Sequence, residues 1–261
     1  MSLGALIAFA GAVRVFSADY CADQLVLALA DRDQIAALSV DAEKDFSYLR
    51  EASHGLPQAR AGAEEIHASN AGLVLRTWGG DAKRIERLGV RVVTLGYAAD
   101  VSAIKENVRV AARALGQIER GERLAGEIDK RVAALKAKGP TGVEALYVTP
   151  GGVTAGAGTI IDAIFNAAGV QNIAAKNGLT DWPPLSAETL IDDPPQFIVT
   201  GFFSANSERI DHWSATRHPA IRRAIEQAPH VELAADTLAC PGFFSLDAAE
   251  TIRKAADHAA Q

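Results

Sequence analysis

Two cysteines, six histidines and one glycine-rich stretch are the residues of this chain whose chemistry could go beyond structure. Nucleophilic catalysis needs an activated Ser or Cys beside a base, and the sequence holds no Gly-x-Ser-x-Gly elbow. The histidines, at 54, 67, 212, 218, 230 and 258, stand singly. Zinc or manganese ligation across a cleft, with His54 and His67 facing His212 and His218, is conceivable, but no His-x3-His or clustered carboxylate spacing marks it. Surface histidines are the simpler reading. Gly151-Gly152 and Gly156-Ala157-Gly158 follow a strand and open a helix, as a dinucleotide loop would. The third glycine of Gly-x-Gly-x-x-Gly would fall at Ile161, so the stretch reads as a tight turn and a glycine-lined wall. Cys21 and Cys240 fall in loops of opposite halves. A bond between them would tie the halves together and oppose opening, so two free or buried thiols are expected.

The aromatic residues are informative by placement. Tyr20, Tyr48, Trp78, Tyr97, Trp182, Phe202, Phe203, Phe243 and Phe244 lie at inferred strand ends or in loops. Aromatics there suggest a surface for a large, flat, partly apolar ligand, with packing under loops as the alternative.

Such a surface needs a scaffold. The chain has 261 residues, 49% hydrophobic and 22% charged, which rules out extended disorder. Lys and Arg number 26 against 32 Asp and Glu, a net charge of -6 with no basic block, so nucleic acid is a poor partner. No segment reaches the roughly 18 apolar residues of a membrane-spanning helix. The first twelve residues, small and apolar, resemble the back half of a secretory signal, with Ala8-Phe9-Ala10 as a cleavage site; a buried first strand or added residues would explain them as well.

From Val13 onward, short apolar runs alternate with helical stretches: Val13–Phe16, Ile35–Val40, Leu73–Leu75 and Val92–Leu95 read as strands. This order implies parallel pairing through right-handed crossovers. Between Val101 and Lys138 there is no proline, and Leu124, Ile128, Val132 and Leu135 mark one helical face. At least Glu119–Lys138 reads as one long helix, stopped by Gly139-Pro140. The alternation then resumes, with strands at Ala145–Thr149, Phe197–Thr200 and Val231–Leu233 and helices at Thr159–Ala168, Ala220–Gln227 and Leu246–Ala260. Residues 63–78 align without gaps to 187–202, placing Leu73-Val74-Leu75 over Phe197-Ile198-Val199 and Trp78 over Phe202. Ligands of open parallel sheets bind beyond the carboxyl ends of the strands, so these two aromatics would occupy equivalent rims. The expected fold is α/β, two Rossmann-like lobes with parallel-type sheets joined by one long interlobe α-helix. Its parts are residues 13–118, the helix 119–139, and 140–261, with 1–12 outside the lobes.

From Arg14 onward the sequence resembles the class III periplasmic substrate-binding proteins of ABC importers, which carry iron-siderophores, haem or vitamin B12. Four stretches carry the resemblance: Val13–Leu38; Leu73–Leu95, where Trp78-Gly79-Gly80-Asp81-Ala82 is similar to a Trp-x-Gly-Gly-Asn-Ala segment of the B12 binders; Thr154–Asn172; and Trp182–Val199. The resemblance implies a nearly rigid pair of lobes that hold cargo in a shallow cleft. By position it assigns cargo contacts to Tyr48, Trp78 and the loop Leu238, Ala239, Cys240, Pro241 and Gly242. Gly79 and Phe243 adjoin these places. For an iron(III) chelate, Arg76 and Tyr97 are the candidate contacts. The family also docks on its permease through an acidic residue on each lobe. Here the glutamate expected three residues after Gly80 is Lys83, leaving Asp81 on one lobe and Glu208 or Asp211 on the other as substitutes.

The expected function is therefore non-enzymatic: a monomeric periplasmic protein that captures an iron-siderophore or a corrinoid for an inner-membrane ABC importer, with no cofactor of its own. Haem, free zinc or manganese, and a nucleotide-dependent enzyme are the other readings.

Overall fold

Val15 and Phe16 are adjacent and both fully buried, so strand β1 (Val15–Ser17) has covered faces on both sides, as interior strands of parallel sheets do. The computed structural model describes residues 13–78, 82–186, 190, 195–202 and 219–259. Within them the first sheet is parallel, in the order β2 (Ile35–Ala37), β1, β3 (Leu73–Arg76), β4 (Arg91–Thr94). The second repeats that order with β6 (Gln171–Asn172), β5 (Glu144–Val148), β7 (Phe197–Gly201), β8 (His230–Leu233). Leu73 lies opposite Val15 and Phe197 opposite Ala145, so the residues aligned by the sequence repeat hold the same place in each sheet.

Side-chain alternation divides the cores. Phe16 and Val74 point to the outer face of the first sheet, with Ile66 of α3 (Ala63–Ala68) and Ile85 of α4 (Ala82–Glu86). Leu146, Val148 and Ile198 point to the outer face of the second, with Ile173 of α8 (Ile173–Lys176) and Ile221 of α9 (Pro219–Gln227). The inner faces behave differently. Val15, Leu73 and Leu75 of one lobe and Ala145, Tyr147, Phe197 and Val199 of the other belong to one continuous apolar cluster.

Helices fill the space between. They are α1 (Tyr20–Leu29), α5 (Val101–Leu115), α6 (Ile118–Ala137), α7 (Ile160–Ala168) and α11 (Ser245–Ala259). The expected long helix is α6: Ile128 and Leu135 are buried, with Leu124 and Val132 packed beside them. Gly116, at φ 74°, ends α5, and Gly121 lets the two helices touch, since a Cβ there would meet that of Ala112 at 2.3 Å. Two further short helices are α2 (Arg50–Ser53) and α10 (Ala235–Leu238).

Polar and covalent ties also cross between the lobes. Arg50 pairs with Asp236 at 2.9 Å, and Arg131 of α6 pairs with Asp247 and Glu250 of α11. Cys21 and Cys240 form a disulfide, with Cα atoms 5.6 Å apart. This overturns the expectation of two free thiols. That expectation rested on a need to open, whereas the lobes already share a core and the 240–244 loop reaches over to α1.

Among the described residues no helix is long and apolar enough to cross a membrane. Residues 1–12, read as a signal remnant, lie outside the described residues.

Candidate functional site

The site begins at Asp19. As the N-cap of α1 its carboxylate accepts from Cys21 N and Ala22 N at 3.1 and 2.9 Å, using donors that the helix start leaves free. The same carboxylate reaches the loop after β3, accepting from Thr77 N at 2.7 Å, Thr77 Oγ1 at 2.5 Å and Trp78 N at 3.4 Å. One side chain thus fixes the helix that carries Cys21 and the loop that carries Trp78. The Trp78 ring, 46% exposed, meets Tyr20 edge-on at 5.1 Å, and Tyr20 meets Phe46 at 5.0 Å. Burial, with Asp19 and Asp41 nearby, raises the Tyr20 phenol above its ordinary value.

Beneath Trp78 lies a cavity of about 240 Å³ beyond the carboxyl ends of β3 and β4. The first lobe contributes Cys21, Gln24 and Leu25 from α1, Thr77 and Trp78, Leu95 to Ala98 after β4, and Ile104, Asn107 and Val108 from α5. The second lobe contributes Cys240, Pro241, Gly242, Phe243 and Phe244. Among the described residues no lining residue carries a formal charge. Tyr97 is 63% exposed. Behind the wall Tyr48 stacks on Phe244 at 4.6 Å, and its hydroxyl donates to Asp247 Oδ2 at 2.6 Å. Burial and that bond push the Tyr48 phenol up to about 12.

Six sequence-predicted positions therefore sit on one cavity with Trp78: Tyr97, Cys240, Pro241, Gly242, Phe243 and Phe244. Tyr20 and Tyr48 brace it through ring contacts. The rest are elsewhere. Arg76 ends β3, half-buried, and is not among the lining residues. Leu238 closes α10 and packs into the shared core. Phe202 follows β7 with φ 65°. Trp182, 45% exposed, meets Tyr147 edge-on at 6.4 Å on the second lobe. Gly79, Phe203 and the proposed docking residues Asp81, Glu208 and Asp211 lie outside the described residues.

Sequence reasoning missed Gln24, Thr77, Leu95, Ile104, Asn107 and Val108. Ile104 and Val108 share the apolar face of α5, and the only local signal was the polar Asn107 beside that face.

The glycine stretch is occupied by the chain itself. Gly156 N and Ala157 N donate to Asp181 O and Leu179 O at 2.9 and 2.8 Å, and Thr154 N donates to Pro183 O at 3.0 Å. A Cβ at Gly156 would fall 2.3 Å from Leu179 O. These amides hold the Trp182 loop in place, so they are not turned toward a phosphate. Among the described residues no three His, Cys, Asp or Glu side chains converge as metal ligands; His212 and His218 lie outside them.

Two parallel α/β lobes, a shared spine and a cavity between them, lined among the described residues by uncharged and aromatic side chains, define a two-lobed cleft architecture. The sequence profile described as periplasmic binding protein matches residues 68–217, more than half of the chain, and the chain belongs to that family. A cobalamin-binding protein of Halobacterium salinarum is 28% identical over 211 residues, covering 76% of this chain and 55% of that one. The chain thus spans about half the length of the curated relatives it matches. Among solved structures, the periplasmic heme-binding protein RhuT from Roseiflexus sp. RS-1 in apo form superposes with a TM-score of 0.72 at 24% identity, covering 96% of this chain and all of that one. The periplasmic vitamin B12 binding protein BtuF of Vibrio cholerae gives 0.68 at 20% identity, covering 95% and 98%. At these identities the structures speak to the fold.

Proposed function

We propose that this chain captures a bulky metal chelate outside the cytoplasm and presents it to an ABC importer, and that the chelate is a corrinoid. The observation that carries the choice is that the described residues around the cavity bear no formal charge. A haem brings carboxylates and a catecholate siderophore several negative charges, and burying these without partners is costly. A corrin edged with neutral amides brings neither. Trp78, Tyr97 and Phe243 supply aromatic surface for its flat ring system. The similarity to a cobalamin-binding protein supports the same reading. Docking on the permease falls to Asp81 on one lobe and Glu208 or Asp211 on the other. Tyr97 favours a second reading, an iron chelate, because its exposed phenol stands at the mouth.

Titration of the oxidised protein with cyanocobalamin, ferrichrome and haemin, followed by tryptophan fluorescence, tests the choice. Saturable binding of cyanocobalamin at micromolar or lower concentration, with weaker response to the others, is expected; preference for either iron chelate overturns it.

A further inference from the structure

We infer that the interior of the cavity under Trp78 is a subsite for an uncharged aromatic appendage of the cargo, while the macrocycle sits across its mouth against the exposed rings of Trp78 and Tyr97. This rests on the corrinoid reading above. At about 240 Å³ the cavity falls below the roughly 300–1,000 Å³ of pockets that enclose a whole drug-sized ligand, so only part of a bulky chelate enters.

Three of the polar side chains on its wall, Gln24, Thr77 and Asn107, already bond within the protein. Gln24 Nε2 donates to Tyr20 O at 2.9 Å and to Ser47 Oγ at 2.8 Å, and its Oε1 accepts from Leu49 N at 2.7 Å. Thr77 Oγ1 donates to Asp19. Asn107 Nδ2 donates to Gly96 O at 2.7 Å, and Gly96 N donates back to Asn107 Oδ1 at 3.1 Å. A charged group would meet no charged partner among the described lining residues, and its desolvation would go uncompensated. The remaining wall is aliphatic, aromatic and sulfur. Leu95, Ile104 and Val108 form the floor, the Cys21–Cys240 bond lies at the lobe junction, and Trp78 and Tyr97 offer ring faces and edges. A flat arene satisfies all three constraints: size, neutrality and contact type.

The test pairs cyanocobalamin with dicyanocobinamide, which has the same corrin but lacks the benzimidazole arm, on the oxidised full chain by tryptophan fluorescence. Cyanocobalamin is expected to bind at least about fivefold tighter. A smaller ratio overturns the subsite and leaves the corrinoid reading standing. Should neither bind, the corrinoid reading fails and the subsite is decided by the arene alone. Free 5,6-dimethylbenzimidazole, at a pH where it is neutral, is then expected to slow phosphine reduction of the Cys21–Cys240 bond, while benzimidazole-5-carboxylate does not. No slowing, or equal slowing by both, overturns the subsite.

Discussion

Tyr48 donates its phenol hydrogen to Asp247 across 199 positions of sequence, joining a first-lobe loop to the first turn of the last helix. Asp247 also receives Arg131 from α6, so loop, spine and final helix meet at one carboxylate. Tyr48→Phe keeps the stack on Phe244 and removes only the bond. A loss of roughly 1–3 kcal/mol is expected, because the acceptor is charged. Urea unfolding should show a lower midpoint with an unchanged slope.

The Cys21–Cys240 bond closes a loop of 219 residues. By the chain-entropy relation, constraining so long a segment of the unfolded chain is worth about 5 kcal/mol. The Cys21→Ser/Cys240→Ser double variant should melt lower by that equivalent, and phosphine should lower the native protein to the same point while leaving the variant unmoved. Both sulfurs are buried on the cavity wall, so cargo affinity should fall as well.

Trp78 is nearly half exposed, so its ring contributes little to the core. Trp78→Ala is expected to leave the melting temperature within about a degree or two, as exposed substitutions do. Cargo affinity, measured by calorimetry, should drop at least about tenfold, a loss of 1.4 kcal/mol.

Asp23 is fully buried, accepting from Ser39 N at 3.0 Å and Ser39 Oγ at 2.6 Å. Burial dominates those bonds, with Asp19 adding repulsion, and raises the carboxyl from 3.8 to about 6. A raised folded-state value means that the folded protein holds this proton more tightly than the unfolded chain. The stabilisation is complete below about pH 4 and is lost as pH rises through about 6. The difference is worth roughly 3 kcal/mol. Asp23→Asn, neutral throughout, should therefore gain less stability than the native protein between about pH 7 and pH 4.5. Equal pH profiles in chemical denaturation would remove this role.

Much of the scaffold was legible in the sequence because burial imposes a pattern on it. Strands covered on both faces read as apolar runs such as Leu73-Val74-Leu75, and α6 showed its stripe through Ile128 and Leu135. The repeat between 63–78 and 187–202 coincides with the shared strand order of the two sheets. The site was legible where an aromatic interrupted a loop, as at Trp78, Tyr97 and Phe243, and, through the family resemblance, at Cys240, Pro241 and Gly242. Its floor was hidden, since Leu95, Ile104 and Val108 have the residue types and spacing of ordinary core. The disulfide was misread because nothing local to Cys21 or Cys240 records that the 240–244 loop folds back onto α1.

The apolar cluster running unbroken from Val15 through Ile128 to Ala256 makes one interior of the inner faces of both halves, leaving only the outer-face clusters to each alone. Heat should accordingly dismantle both halves in a single calorimetric event, and a cavity carved at Ile128 would be felt as much at Val15 as at Phe197.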